Sequence, residues 1–187
     1  MRSLVLIFTL LLTGLAHAGP EPYRLDVANS FVSFVYTFSG NPTRGNMTVS
    51  KARILLDIDN PANSEVAATI DANKATAGMF LATSAMKGPQ VLDTNRFPTI
   101  TFESSRVIPD GQKARIEGLI TIRDVTRPIT LNAQVFRQQG TQPGDRDRMS
   151  IKLHGEISRA AFGAGGFADL VGDTIILDII ARVDRIR

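Results

Sequence analysis

Cysteine and tryptophan are absent from this 187-residue chain, and histidine occurs only twice. Without cysteine there is no disulfide framework, no thiolate metal site and no cysteine nucleophile. His154 is the sole histidine after residue 18, so sites built on several histidines are excluded too. A Ser-His-Asp triad would have to use His154, and no Gly-x-Ser-x-Gly motif accompanies it. We therefore predict no metal site and no cofactor.

A large charge imbalance is also missing, since 21 Lys and Arg face 18 Asp and Glu. No run of basic residues is longer than two, which argues against nucleic acid as a partner. The longest largely apolar stretch is Leu4–Leu15, and it is shorter than the roughly 20 residues of a membrane-spanning helix.

That apolar run follows a short basic start and ends at Ala16-His17-Ala18, the layout of a cleaved signal peptide. We expect residues 1–18 to be the signal peptide and residues 19–187 to form one domain without a membrane span. An exported chain without cysteine suits a bacterial periplasm.

The abundant feature is alternation of apolar and polar residues along short segments. Side chains in a strand point alternately to opposite faces, so each segment has one apolar face. The apolar sets include Val32/Phe34/Tyr36/Phe38, Ile100/Phe102, Ile116/Ile120/Ile122, Ile129/Leu131/Ala133/Val135, Ile151/Leu153/Ile157 and Ile175/Leu177/Ile179. Helical spacing interrupts the pattern at 73–87, with Asn73 as the expected cap and Gly88-Pro89 as the stop. We predict an all-β fold, an antiparallel eight-stranded barrel with a short helical insertion between strands.

Three segments of the chain resemble the YceI-like family of exported polyisoprenoid-binding proteins. They are Arg96–Ser104 (RFPTITFES), Glu117–Ile129 (EGLITIRDVTRPI) and Ile157–Gly163 (ISRAAFG), the last followed by Leu170–Asp173 (LVGD). The opening Tyr23–Asp26 (YRLD) with Ser30 is similar as well. The resemblance implies a lipocalin-like barrel that holds a long isoprenoid chain or a related fatty lipid, for storage or transport and without catalysis.

Whether the barrel is hollow decides this function, because eight strands enclose just enough space to be packed shut or to hold one ligand. We take Gly118 and Gly155, on inward faces, as a sign of unfilled space. The expected ligand-binding residues are Phe34, Tyr36, Phe38, Met79, Phe80, Met86, Phe97, Ile100, Phe102, Ile120, Leu131, Leu153 and Leu177. Arg127 and Arg159, at strand ends, are candidates either for contacts to a ligand head group or for tying turns through backbone carbonyls.

Two other functions stay open. A barrel without a cavity would serve as an interaction module for a membrane partner, with Ile176 and Ile180 on an outer face. A hydrolase or isomerase would use carboxylates at the rim, such as Asp93 and Asp173. The Gly-rich 163–166 segment lacks the Lys-Ser/Thr of a phosphate loop and is better explained as a rim loop. The identity of the lipid, its delivery partner and the oligomeric state, a dimer included, are left open by the sequence.

Overall fold

A computed structural model describes residues 19–187; the expected signal peptide at 1–18 lies outside this range. Nine strands and one α-helix make up the regular structure of the described chain. In order they are β1 (Glu21–Leu25), β2 (Phe31–Phe38), β3 (Asn41–Leu56), β4 (Glu65–Thr76), α1 (Phe80–Lys87), β5 (Thr99–Asp110), β6 (Lys113–Ile122), β7 (Val125–Arg137), β8 (Arg148–Ser158) and β9 (Thr174–Arg185). Short 3₁₀ turns lie at Val27–Asn29, Pro61–Asn63 and Ala160–Phe162.

Strands β2 to β9 close into an antiparallel barrel in the order β3-β2-β9-β8-β7-β6-β5-β4, and the β3–β4 pairing completes the circle. The short β1 pairs with both β3 and β9, beyond the point where β2 begins. The predicted eight-stranded barrel with one short helix is confirmed. Closure leaves no unpaired edge within the eight strands.

The hairpin between β2 and β3 shows why the strands meet in this register. Ser39 and Gly40 are the two turn residues, with φ of 48° and 80°, and Phe38 pairs directly with Asn41. Positive φ at both turn positions gives a twist that matches the two strands. This register puts Phe34, Tyr36 and Phe38 on the inner face, as the alternation predicts.

The helix is shorter than predicted. Asn73 is not its cap, because β4 continues to Thr76 and α1 begins only at Phe80. Ala72 and Ala75 are buried in this extension of β4. Alanine at mixed spacing fits a strand as well as a helix, and Gly78, at φ 80°, makes the turn between them.

Two apolar clusters fill the two ends of the barrel unequally. The smaller one, of Tyr23, Ile54, Leu56, Met149 and Val183, seals the end under β1. The larger one runs along β4 to β7 toward α1 and the β8–β9 connection. Between the seal and α1, part of the interior is hollow.

Candidate ligand cavity

An apolar cavity of about 220 Å³ lies inside the barrel, between the sealed end and α1. Its wall contains side chains from all eight barrel strands and from α1. Every lining residue is apolar except Arg159. Such a surface offers water no partners, so it favours a hydrocarbon occupant.

The hollow lies on one side of the barrel. Inward side chains of β5 to β7, such as Ile116, Ile120 and Leu131, are buried. Their counterparts on β8 and β9, such as Leu153 and Leu177, point inward but are only partly buried. Close-packed protein interiors leave few voids larger than a water molecule. Side chains that point inward and are still accessible therefore mark unfilled space.

The glycines do not create that space, and our interpretation of them is wrong. A Cβ on Gly118 would lie 2.7 Å from Cε2 of Phe102, and one on Gly155 would lie 2.6 Å from Cδ2 of Leu131. Both glycines therefore make room for a neighbouring side chain. On the β8, β9, β2 and β3 side, the cavity is bordered by inward aliphatic residues such as Met47, Leu153 and Leu177.

A second cavity of about 570 Å³ adjoins the first at the α1 end. It lies between α1, the β8–β9 connection and the near ends of β2 and β9. Both cavities are bordered by Phe34, Met86, Val91, Arg159 and Ile175. We call the first the inner cavity and the second the mouth cavity, whose volume is within the range usual for small-molecule sites.

Arg159 is the polar group shared by the two cavities. Only 7% of it is exposed. Its Nε donates to Gly172 O at 2.9 Å, and Nη1 donates to Ala164 O at 2.7 Å and Gly166 O at 2.6 Å. Nη2 donates to Val171 O at 2.7 Å. The guanidinium thus holds the β8–β9 connection in place, as one of the two sequence interpretations proposes.

Burial lowers the pKa of Arg159, and the nearby Asp173 carboxylate opposes that effect. An arginine still keeps its proton under such conditions, so a positive charge lies at the boundary of the two cavities. Arg159 has five N–H groups, and four of them have carbonyl partners within the described residues. One N–H of Nη2 is left for a further acceptor.

The other polar groups at this end have structural partners. The Tyr36 hydroxyl donates to Ala77 O at 2.8 Å, and burial raises the pKa of this tyrosine. Asp173 accepts from the backbone N–H of Ala160 at 2.8 Å. Asp93 lies 3.5 Å from Arg96 Nη1 and closes its own turn at φ 50°. Both candidate rim carboxylates are thus engaged in holding loops.

Histidine and metal-ligating groups show no catalytic arrangement in the described chain. His154 is exposed on the outer wall, where its Nδ1 lies 2.9 Å from Asp178 Oδ1. Across residues 19–187, no group of three or more histidine, aspartate or glutamate side chains is placed to hold a metal ion.

Most of the residues that we expected at a ligand site border one of the two cavities. The inner cavity contains Phe34, Met86, Ile100, Phe102, Ile120, Leu131, Leu153, Leu177 and Arg159. The mouth cavity contains Phe34, Tyr36, Phe38, Met79, Phe80, Met86 and Arg159. Whether they contact a ligand stays a prediction.

Two of the expected residues lie away from the cavities. Phe97 borders neither, because its ring lies under the guanidinium groups of Arg96 and Arg123, 5.0 and 5.6 Å from its centroid. Arg127 is exposed and donates through Nε to Ala161 O at 2.7 Å, which ties the β8–β9 connection to β7. Neither residue lines one of the two cavities.

Sequence reasoning missed Leu81, Phe167, Leu170 and Val171, all of which border the mouth cavity. Phe167 and Leu170 follow the Gly-rich segment that we interpreted as a rim loop. The available signal for these mouth residues was the presence of Phe167 and Leu170, two large apolar residues, in a loop that is rich in small residues.

A closed antiparallel barrel with an apolar interior that opens at one end is the lipocalin-like class of architecture. The sequence model of the YceI-like domain family matches residues 23–183 of this chain, and the chain belongs to the YceI-like family. The YceI protein of Salmonella newport (strain SL254) is 28% identical over 167 residues, which are 87% of this chain and 87% of that protein.

Two solved structures share the fold. BcnA of Burkholderia cenocepacia matches with a TM-score of 0.76 and 23% identity, over 85% of this chain and 99% of that one. A polyisoprenoid binding domain from Saccharophagus degradans, implicated in plant cell wall breakdown, matches with a TM-score of 0.63 and 16% identity, over 89% of this chain and 99% of that one. Among residues 19–187, no helix is both long and apolar enough to cross a membrane.

Proposed function

We propose that this protein binds one long-chain isoprenoid or related amphiphilic lipid in the inner and mouth cavities, for storage or transport. The observation that supports this most directly is the wall of the inner cavity, which is apolar except for one charged residue. Burial of each methylene of a lipid tail there contributes about 0.8 kcal/mol, so a long tail needs few polar contacts. The polyisoprenoid binding domain of the same fold supports this ligand class.

The polar end of the lipid would lie toward Arg159 or at the mouth. The free N–H of Arg159 is a donor for a carbonyl, hydroxyl or phosphate oxygen, and its charge favours an acceptor that is electron-rich. We assign Arg127 and Phe97 no part in binding.

Binding without catalysis fits the rim chemistry, since Asp93 and Asp173 both hold loops. The two cavities favour this proposal over the interaction module, whose premise is a barrel without a cavity. With residues 1–18 as a signal peptide, the site of action would be the periplasm.

The test is native mass spectrometry of delipidated protein after incubation with ubiquinone or with geranylgeraniol. We expect one added lipid per chain. Ala68→Phe, on the inner wall of β4, should reduce occupancy at least tenfold by filling the inner cavity. Its neighbour Ala67 faces the other way, so Ala67→Phe is the matched control and should load normally. Absence of any lipid adduct on the unaltered protein would overturn the proposal, as would equal loading of both variants.

A further inference from the structure

Large apolar side chains surround the opening of the mouth cavity on its solvent side. Phe80 and Leu81, in the first turn of α1, are 83% and 79% exposed. Across the opening, on the β8–β9 connection, Leu170 is 50% and Phe167 45% exposed, and Met79 is 47% exposed. All five also border the mouth cavity. We call these five residues the mouth patch; they form one apolar surface that is continuous with the cavity.

The backbone fixes these side chains in their exposed positions. Phe167 has φ 59°, a left-handed conformation that is strained for a bulky residue. Its carbonyl accepts from Leu170 N at 3.0 Å and from Val171 N at 2.9 Å. The carbonyl of Leu170 accepts from Ser39 N at 2.8 Å, which anchors the connection to the β2–β3 hairpin. The loop therefore holds Phe167 outside despite a backbone strain.

The start of α1 is fixed as well. Thr83 N donates to Met79 O at 2.9 Å, and Thr83 Oγ1 accepts from Ala77 N at 2.9 Å. Phe80 and Leu81 thus project from an ordered turn. A rigid apolar projection of this kind is typical of a surface that contacts a partner.

Two cations without partners flank the mouth patch. Lys87 lies seven residues after Phe80 in α1. Seven residues make about two helical turns, so the two residues share one face of the helix. Arg44 lies beside the segment that leads into α1, where its carbonyl is 2.8 Å from the position of a Cβ on Gly78. Within the described residues, neither side chain makes a hydrogen bond or ion pair. One exposed carboxylate, Asp169, lies between Phe167 and Leu170 of the mouth patch.

We propose that the mouth patch docks on a lipid bilayer that contains anionic phospholipids, so that the cavity opens directly to the membrane. Aromatic and aliphatic side chains flanked by basic ones are the pattern that binds a membrane interface. Arg44 and Lys87 would meet lipid phosphates while the mouth patch enters the acyl boundary. The inference rests on the proposed function, in which a lipid tail is the ligand. Docking would let that tail pass from the bilayer into the cavity without crossing water.

Charge argues against a second copy of this chain as the occupant. A two-fold pairing of mouths would bring Arg44 and Lys87 of one chain close to the same two cations of the other, and Asp169 is the one exposed carboxylate between Phe167 and Leu170 of the mouth patch. A membrane with negative charge neutralises the same cations and attracts each of them.

The experiment is co-sedimentation of the mature protein with vesicles, either of phosphatidylcholine alone or of phosphatidylcholine with phosphatidylglycerol. We expect binding to the mixed vesicles, weakened at least tenfold by Phe80→Ser combined with Leu81→Ser. Leu170→Ser should weaken binding several-fold. Leu119→Ser is its matched control, since Leu119 is also 50% exposed but lies on β6 away from the mouth.

The charges give a second arm. Arg44→Gln and Lys87→Gln should each weaken binding to the anionic vesicles about fivefold. Asp169→Lys should strengthen it by a similar factor. Added salt should reduce these differences.

The outcomes separate this inference from the proposed function. Protein that loads ubiquinone from detergent but does not bind vesicles overturns membrane docking alone. Protein that binds vesicles through the mouth patch but never acquires a lipid overturns the proposed function alone. Loss of a dimer in analytical ultracentrifugation on Phe80→Ser/Leu81→Ser, with vesicle binding unchanged, would assign the mouth patch to a second copy and overturn the inference.

Discussion

At the scale of single residues, Arg159 shapes the candidate site more than any other side chain that we identified. It fixes the β8–β9 connection through carbonyls of Ala164, Gly166, Val171 and Gly172, and it lines both cavities. Lysine keeps the charge but has no planar fork with which to reach four acceptors. The buried carbonyls would then lack donors.

We expect Arg159→Lys to lower the free energy of unfolding by about 2–4 kcal/mol, since bonds from a charged donor contribute about 1.5–3 kcal/mol each and some are retained. Urea unfolding measures this. Arg182→Lys is the control, because Arg182 lies on the outer face of β9 beside Phe136 and Ser150, in a surface groove. Equal stability of the two variants would contradict the structural role of Arg159.

Residue-scale predictions from the sequence succeeded where a strand sets the direction of the side chain. Alternation alone places Phe34, Leu153 and Leu177 inside the barrel, where they border the inner cavity. It does not show what lies across from a residue. Gly118 reads as empty space in the sequence, yet the ring of Phe102 occupies it. Nor does alternation show that Arg123, distant in sequence, lies over the ring of Phe97.

At the scale of elements, strands with strict alternation are predictable and irregular ones are less so. The predicted apolar set Val32/Phe34/Tyr36/Phe38 falls within the single strand β2 (Phe31–Phe38). Strand β3 (Asn41–Leu56) lacks strict alternation, and its register with β4 shifts between Asn46 and Thr48 and between Val49 and Lys51. Each shift breaks the two-residue period, so one bent strand looks like two.

Two connections between elements depend on carboxylates. In the β3–β4 connection, Asp57 accepts from Asn63 Nδ2 at 2.9 Å and from Asn60 N at 2.8 Å, and these hydrogen bonds lower its pKa. At the start of the β8–β9 connection, a hydrogen bond from Ser158, followed by that from Ala160 N, lowers the pKa of Asp173. In both places the charged form is the one that holds the turn.

These shifts predict loss of stability in acid. An aspartate with a lowered folded pKa contributes its stability in full above its unfolded pKa of about 3.9, and the contribution disappears as the pH falls through the folded value. We expect Asp57→Asn to be less stable than the unaltered protein at pH 7 and the difference to shrink below about pH 4. Urea unfolding across this range tests it. Asp110→Asn, at the exposed β5–β6 turn, is the control for removal of one carboxylate.

At the scale of the whole molecule, a hollow barrel has less close packing than a filled one. Side chains are closely packed in the larger apolar cluster and in the smaller one under β1, and unfilled space remains in the inner and mouth cavities. Alternation gives the number of strands and their inner faces. It does not give the balance between filled and unfilled volume, because that depends on the sizes of side chains which meet only after closure.

The trade between packing and binding can be measured in one variant. Ala181 lies on the inner wall of β9, so Ala181→Leu adds three carbon atoms to a cavity of about 220 Å³. Filling unoccupied apolar space commonly adds about 0.5–2 kcal/mol to the free energy of unfolding, so the ligand-free variant should be more stable than the unaltered protein.

The same variant should respond less to lipid. A ligand at a hundred times its dissociation constant stabilises the folded state by about 2.7 kcal/mol. We expect that increment for the unaltered protein with ubiquinone, and a clearly smaller one for Ala181→Leu at the same concentration. Thermal unfolding with and without lipid measures both, and Ala67→Leu, on the outer face of β4, is the control. If Ala181→Leu gained no stability without lipid yet responded to lipid in full, the inner cavity would not be the place where the tail is held.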